Sequence, residues 1–137
     1  DIEKEIKLIQ NYVALEQLRY GKKLELKLEV KVDNPQTKIT PLLLISIIEN
    51  AFKHGASGSI SKCTISIDIK VEKNQLLFKV FNTKPAFEQK DYTNFKEGIG
   101  LKNTKKQLNL VYPNKYDIDV IEEENTYIVE LKIDLNK

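Results

Sequence analysis

The chain of 137 residues contains no methionine and no tryptophan, and it has only one cysteine and one histidine. A lone Cys63 can form neither an internal disulfide nor a multi-cysteine zinc site. A lone His54 excludes a multi-histidine metal centre. A reading frame begins with Met, whereas this sequence begins at Asp1 inside a helical pattern, so an excised or processed piece of a longer protein is expected. No run approaches the roughly 18 apolar residues of a membrane-spanning helix, and no secretory leader pattern opens the chain. A surplus of one charge sign is also missing: 22 Lys and Arg face 20 Asp and Glu, a net of +2. That argues against a general nucleic-acid binder, which needs a basic excess on one face. There is no internal repeat and no low-complexity segment.

What is present is one domain's worth of globular sequence. Hydrophobic residues make up 41% and charged residues 31%, a balance that supports one buried core and is too short for two. Residues Ile2 to Tyr20 read as a helix in which Ile2, Ile6, Ile9 and Val13 share one face. Leu8, Tyr12 and Leu15 form a second stripe, which predicts a second packing partner, and Gly21 is a suitable stop. Leu24, Leu26, Leu28, Val30 and Val32 alternate with charged residues, as in a half-buried strand. Thr40-Pro41 reads as a cap and first helical residue for a helix that runs to Gly55. Ile65 to Val71 and Leu76 to Val80 alternate on either side of a turn at Lys73-Asn74-Gln75, which predicts a hairpin. A linker-like stretch from Thr83 to Gly100 precedes a helix over Ile99 to Val111, and strands are expected over Tyr116 to Val120 and Tyr127 to Ile133. The order α-β-α-β-β-α-β-β predicts an α/β two-layer sandwich, with helices on one face of a mixed, mostly antiparallel sheet.

Three places could carry chemistry. The helix Pro41 to Gly55 is apolar except for Ser46, Glu49, Asn50, Lys53 and His54, which share an arc of about 140° at about 100° per residue. A mostly buried helix with one polar stripe suits a pocket wall, although the wet side of any amphipathic helix looks similar. Asn50 can offer an amide oxygen to a hard cation such as Mg²⁺. Glu49 can accept a proton or hold a water, and Lys53 and His54 can meet phosphate. Gly98-Ile99-Gly100-Leu101 opens a helix whose free N–H groups and positive dipole end suit an anion, and it equally suits a plain loop-to-helix turn. Asn82 falls on the inward face of its strand by the count of twos. It must find a partner there, either a turn backbone or a ligand such as an adenine amino group. Cys63 is read as inert, and His54 sits on the pocket helix rather than in the setting of a phosphoacceptor.

In this order the three pieces resemble the ATP-binding domain of LytS-like sensor histidine kinases. Pro41 to Leu44 with Ile48-Glu49-Asn50-Ala51-Phe52-Lys53-His54-Gly55 resembles the family's N box. Gly98-Ile99-Gly100-Leu101-Lys102-Asn103-Thr104 with Gln107-Leu108 resembles its second glycine box, and Tyr12 to Tyr20 resembles the segment after its phosphoacceptor helix. The resemblance implies the GHKL (Bergerat) ATP-binding fold over residues 22–137, with 1–21 as the end of the dimerisation and phosphoacceptor region. It implies ATP and Mg²⁺ as cofactors: Asn50 as metal ligand with Glu49 beside it, Lys53 and His54 near the phosphates, and Asn82 at the adenine. Gly98, Gly100, Leu101 and Asn103 would lie at the phosphate tail, and Thr83 to Glu97 would form the lid. It further implies a cytoplasmic domain of a membrane-anchored parent, a response regulator of LytTR type as partner, and self-association through the first helix, with no direct nucleic-acid contact. The phosphoacceptor His would lie upstream of Asp1.

The sequence departs from the family at two points in the site. The family carries Asp in an Asp-x-Gly box where Val80-Phe81-Asn82-Thr83-Lys84 stands, so Asn82 keeps an amide oxygen, loses the charge and lacks the glycine. Ser46 stands where hydrolysing relatives of this fold carry a Glu, and Ser cannot act as that base. The leading expectation is therefore the ATP-binding catalytic domain of a histidine kinase. A nucleotide-sensing or scaffold module without phosphotransfer, and a GHKL-type ATPase, are the alternatives.

Overall fold

The computed structural model describes residues 1–55, 62–84 and 98–136. Eight regular elements follow one another: α1 (Ile2–Tyr20), β1 (Leu24–Val32), α2 (Leu43–Gly55), β2 (Cys63–Glu72), β3 (Gln75–Thr83), α3 (Gly98–Val111), β4 (Tyr116–Glu122) and β5 (Thr126–Asp134), with a single 3-10 turn at Gly21–Lys23. The expected order is met, with ends shifted by a few residues. The strands form one sheet in the order β1-β2-β3-β5-β4. β1 pairs with β2 in parallel, and the other neighbours are antiparallel.

The alternation read from the sequence sets which face is covered. Ile65, Ile67, Ile69 and Val71 of β2, Leu76, Phe78 and Val80 of β3, and Val129, Leu131 and Ile133 of β5 are buried under the helices. Their neighbours of the opposite parity, such as Ser66, Asp68 and Lys79, are only partly covered. On the edge strand β1 only Leu24 is buried, while Leu26, Leu28, Val30 and Val32 stay half-buried. The β2–β3 hairpin turns on Lys73 (φ 52) and Asn74 (φ 61), a two-residue loop whose positive φ values match the right-handed twist of the strands.

α1 belongs to the same core. Ile2, Ile9 and Val13 are buried, and burying each contributes about 1.5–3 kcal/mol. Gly21, at φ 62, ends α1 in a conformation that glycine tolerates. The expected second stripe behaves differently: Tyr12 packs inward, whereas Leu8 and Leu15 are exposed.

One expectation is corrected. α2 does not start at Pro41 with Thr40 as its cap. Leu42 takes a left-handed conformation (φ 66) and the helix begins at Leu43. Thr40 instead donates to the Tyr112 hydroxyl oxygen, from its backbone N–H at 3.0 Å and from its Oγ1 at 3.3 Å. The helix start is capped from α1: the Glu5 carboxylate accepts from the backbone N–H groups of Leu42 (2.8 Å), Leu44 (3.1 Å) and Ile45 (3.2 Å). Those are the donors a helix leaves unsatisfied at its start, and an anion there also meets the positive end of the dipole.

Candidate functional site

α2 places the expected polar stripe. Leu43, Leu44, Ile45, Ile47, Ile48, Ala51 and Phe52 are buried, whereas Ser46, Glu49 and Lys53 are exposed. Asn50 lies between the two sets at 8% exposure. A cavity of about 470 Å³ opens over this stripe. Its walls come from three helices: Ser46, Glu49, Asn50 and Lys53 from α2, Asn103, Thr104 and Gln107 from α3, and Tyr12, Glu16, Arg19 and Tyr20 from α1. The Ser46 hydroxyl donates back to the Leu42 carbonyl at 2.8 Å.

The structure thus brings Glu49, Asn50, Lys53 and Asn103 to one space. Gly98 and Gly100 form the first turn of α3, one residue earlier than the expected helix start. Leu101 faces the core at 7% exposure, so any role of that residue at the cavity falls to its backbone. His54 lies in the last turn of α2, and its side chain is outside the described residues. The expected lid lies outside them too, apart from Thr83 and Lys84.

Asn82 ends β3 on the covered face and is fully buried. Its Nδ2 donates to the Thr83 carbonyl at 3.0 Å, and its Oδ1 has no partner. Asn82 pairs in the sheet with Ile65 and Tyr127, and it does not line the cavity over Asn50. A second orphan sits on α2, where the buried Nδ2 of Asn50 also lacks a partner. Buried amide atoms are nearly always paired, and one left alone costs about 1–3 kcal/mol.

The contribution of α1 was not anticipated. Tyr12 meets Phe52 edge-on, with ring centroids 5.4 Å apart. The Tyr12 hydroxyl is held well above its ordinary pKa, first by burial and then by its hydrogen bond to Glu16, with the Glu16 and Glu49 charges adding to the effect. Arg19 lies 3.7 Å from Glu16 Oε1 and over the Tyr20 ring at 5.3 Å. A signal was present in the sequence: at about 100° per residue, Glu5 and Glu16 fall within about 40° of Ile9 on the apolar face. Carboxylates on a buried face need partners.

No family model matches the chain. Among curated proteins, it is 30% identical over 118 residues to the sensor histidine kinase YpdA of Escherichia coli, covering 82% of this chain and 21% of that protein. It is 24% identical over 123 residues to the E. coli sensor histidine kinase BtsS, covering 90% of this chain and 21% of BtsS. It is 25% identical over 88 residues to the sensor protein LytS of Bacillus cereus, covering 64% of this chain and 15% of LytS. The chain therefore spans about a fifth or less of these relatives. Among solved structures, the catalytic domain of the histidine kinase ThkA superposes with a TM-score of 0.62 at 18% identity, over 93% of this chain and 91% of that one. The blue-light activated histidine kinase of Erythrobacter litoralis gives 0.61 at 19% identity, over 93% of this chain and 40% of that one. ThkA in complex with the response regulator TrrA gives 0.59 at 17% identity, over 95% and 40%. The chain has the fold of histidine kinase catalytic domains, and its sequence is similar to LytS-like sensor kinases.

Proposed function

We infer that this chain, with the fold of a histidine kinase catalytic domain and a sequence similar to LytS-like sensor kinases, binds Mg-ATP and supplies the γ-phosphoryl group to a phosphoacceptor His outside these residues. The observation that carries this reading is the pair of buried asparagine amides with an atom to spare, Asn82 Oδ1 and Asn50 Nδ2. An orphan carbonyl oxygen at the end of β3 fits a donor such as an adenine amino group. An amide on a polar stripe above a cavity of this size fits a cation carried by a phosphate chain.

Bound Mg-ATP would bring the transferable phosphoryl group together with a divalent charge that neutralises its oxygens. The chain's own residues bind and orient it. Asn82 accepts from the base, and Asn50 turns its amide oxygen to the metal. Among the described residues no three His, Cys, Asp or Glu side chains gather into a metal site, and Asn50 is the side chain that would offer an oxygen to the cation. Lys53, His54 and Asn103 meet the phosphates, while Gly98, Gly100 and the Leu101 amide offer backbone N–H groups at the start of α3. Glu49 holds a water beside the metal. Positioning and fixed charge carry the step, and little covalent chemistry is asked of this chain.

The partner of this reading is a response regulator, of LytTR type by the family resemblance. Self-association runs through α1, where Leu8, Leu15 and Leu18 are exposed. No helix among the described residues is long and apolar enough to cross a membrane. By the family resemblance alone, the parent protein is anchored to a membrane and this chain is a domain on its cytoplasmic side. Asn82, with no carboxylate and no following glycine, supports a second reading, a module that binds nucleotide without transferring phosphate. Labelled ATP incubated with the full-length protein separates the two. Acid-labile, base-stable label on the protein is expected for the kinase, and binding without label would favour the sensing module. Rapid steady-state phosphate release would favour an ATPase, against Ser46.

A further inference from the structure

We propose that Glu16 of α1 is a positioning residue for Asn50: its carboxylate accepts from the Asn50 NH₂ and so fixes which end of the amide faces the cavity. This rests on the reading of Asn50 as the metal-side amide.

The observation is a complementary pair of orphans. Asn50 Nδ2 is a buried donor without an acceptor, and Glu16 Oε1 is a buried acceptor without a donor. Both side chains line the same cavity. Arg19, the cation paired with Glu16 among the described residues, stands 3.7 Å from Oε1, beyond hydrogen-bond length, and its own side chain is 69% exposed. It therefore leaves the oxygen's demand unmet. Two buried polar atoms of opposite kind, each without a partner and on two of the helices that wall one cavity, are the setting in which pairing them satisfies both.

The consequence is chemical. An asparagine amide has a donor end and an acceptor end, and only the oxygen can meet a cation. The NH₂ must then send its protons elsewhere. An anion behind it holds the amide in that sense and draws electron density toward the oxygen, as outer partners do for metal ligands generally. α1 would thereby contribute to the site without touching the nucleotide. Tyr12 donates to the same carboxylate, in the hydrogen bond that helps keep its own proton in place.

The test compares Glu16→Ala and Glu16→Gln with the unaltered chain, using titration calorimetry with ATP in the presence and absence of Mg²⁺ and with adenosine. Glu16→Gln keeps an acceptor oxygen. The expected result is that Glu16→Ala loses about tenfold of the Mg²⁺-dependent gain in ATP affinity, keeps adenosine affinity, and adds little when combined with Asn50→Ala. Glu16→Gln should retain most of the gain. The same set is read without nucleotide by the side-chain amide resonances of Asn50, which should move in Glu16→Ala and stay near their original place in Glu16→Gln. A full Mg²⁺ response in Glu16→Ala, or an equal loss for adenosine and Mg-ATP, would overturn the proposal. If the unaltered chain binds no ATP, the nucleotide reading fails, and the Asn50 resonances still decide whether Glu16 holds that amide.

Discussion

Glu5 Oε2 accepts a hydrogen bond from the Leu44 backbone N–H at 3.1 Å, which ties the first helix to the start of the helix that carries the site. The same carboxylate takes the N–H groups of Leu42 and Ile45, and Glu5 is only 3% exposed. Leu42 is held in a left-handed conformation beside it, which costs an L-residue about 1–2 kcal/mol. The clamp offsets that strain and sets where α2 begins, and hence the turn on which Asn50 sits.

Glu5→Ala removes the acceptor from three backbone donors. With cap losses and charged hydrogen bonds of the usual size, it should destabilise the chain by about 2 kcal/mol or more. Urea unfolding measures this directly. Glu5→Gln should fall between, because an amide keeps one oxygen and turns its NH₂ toward a donor. A loss under about 0.5 kcal/mol for Glu5→Ala would mean that water replaces the clamp.

Asn82→Ala removes an oxygen that has no partner in the chain itself. Stability should change little beyond the lost Nδ2 bond to Thr83. Affinity for ATP should fall about three- to tenfold, the worth of one hydrogen bond, and discrimination against GTP should weaken with it. Competition binding with the two nucleotides checks both effects.

Tyr12 gives the chain an alkaline limit. Its folded-state pKa is raised above the ordinary 10.0, chiefly by burial. The unfolded chain therefore releases this proton first as pH rises. The stabilisation from keeping Tyr12 neutral is complete below the ordinary value and is lost as pH climbs above it toward the folded value. Melting temperatures should fall for the unaltered chain as pH rises from about 10 to about 12, and fall less steeply for Tyr12→Phe.

Much of the fold was legible because its signals are local. Alternation placed Ile65, Ile67 and Ile69 on one face, and the Lys73-Asn74 turn marked the hairpin that joins β2 to β3. The polar stripe of α2 was legible for the same reason, since periodicity alone separates Ser46, Glu49 and Lys53 from Leu44 and Ile48. The start of α2 was misread because Thr40-Pro41 is a good local cap, and its competitor comes from Glu5, 37 residues before Leu42. Glu16 and Tyr12 stood in plain sight on an apolar face, but the cavity they enclose exists only after α1 docks against α2. The spacing set Leu8 and Leu15 on a second stripe of α1, and both stay exposed in the single chain.

Mg-ATP titrated calorimetrically into the chain and into Asn50→Ala decides whether Asn50 serves the metal side of a nucleotide site. One binding event that strengthens with Mg²⁺ is expected in the unaltered chain, and Asn50→Ala should lose that Mg²⁺ response while melting at a similar temperature. No heat from the unaltered chain, or an undiminished Mg²⁺ response in Asn50→Ala, would contradict that assignment.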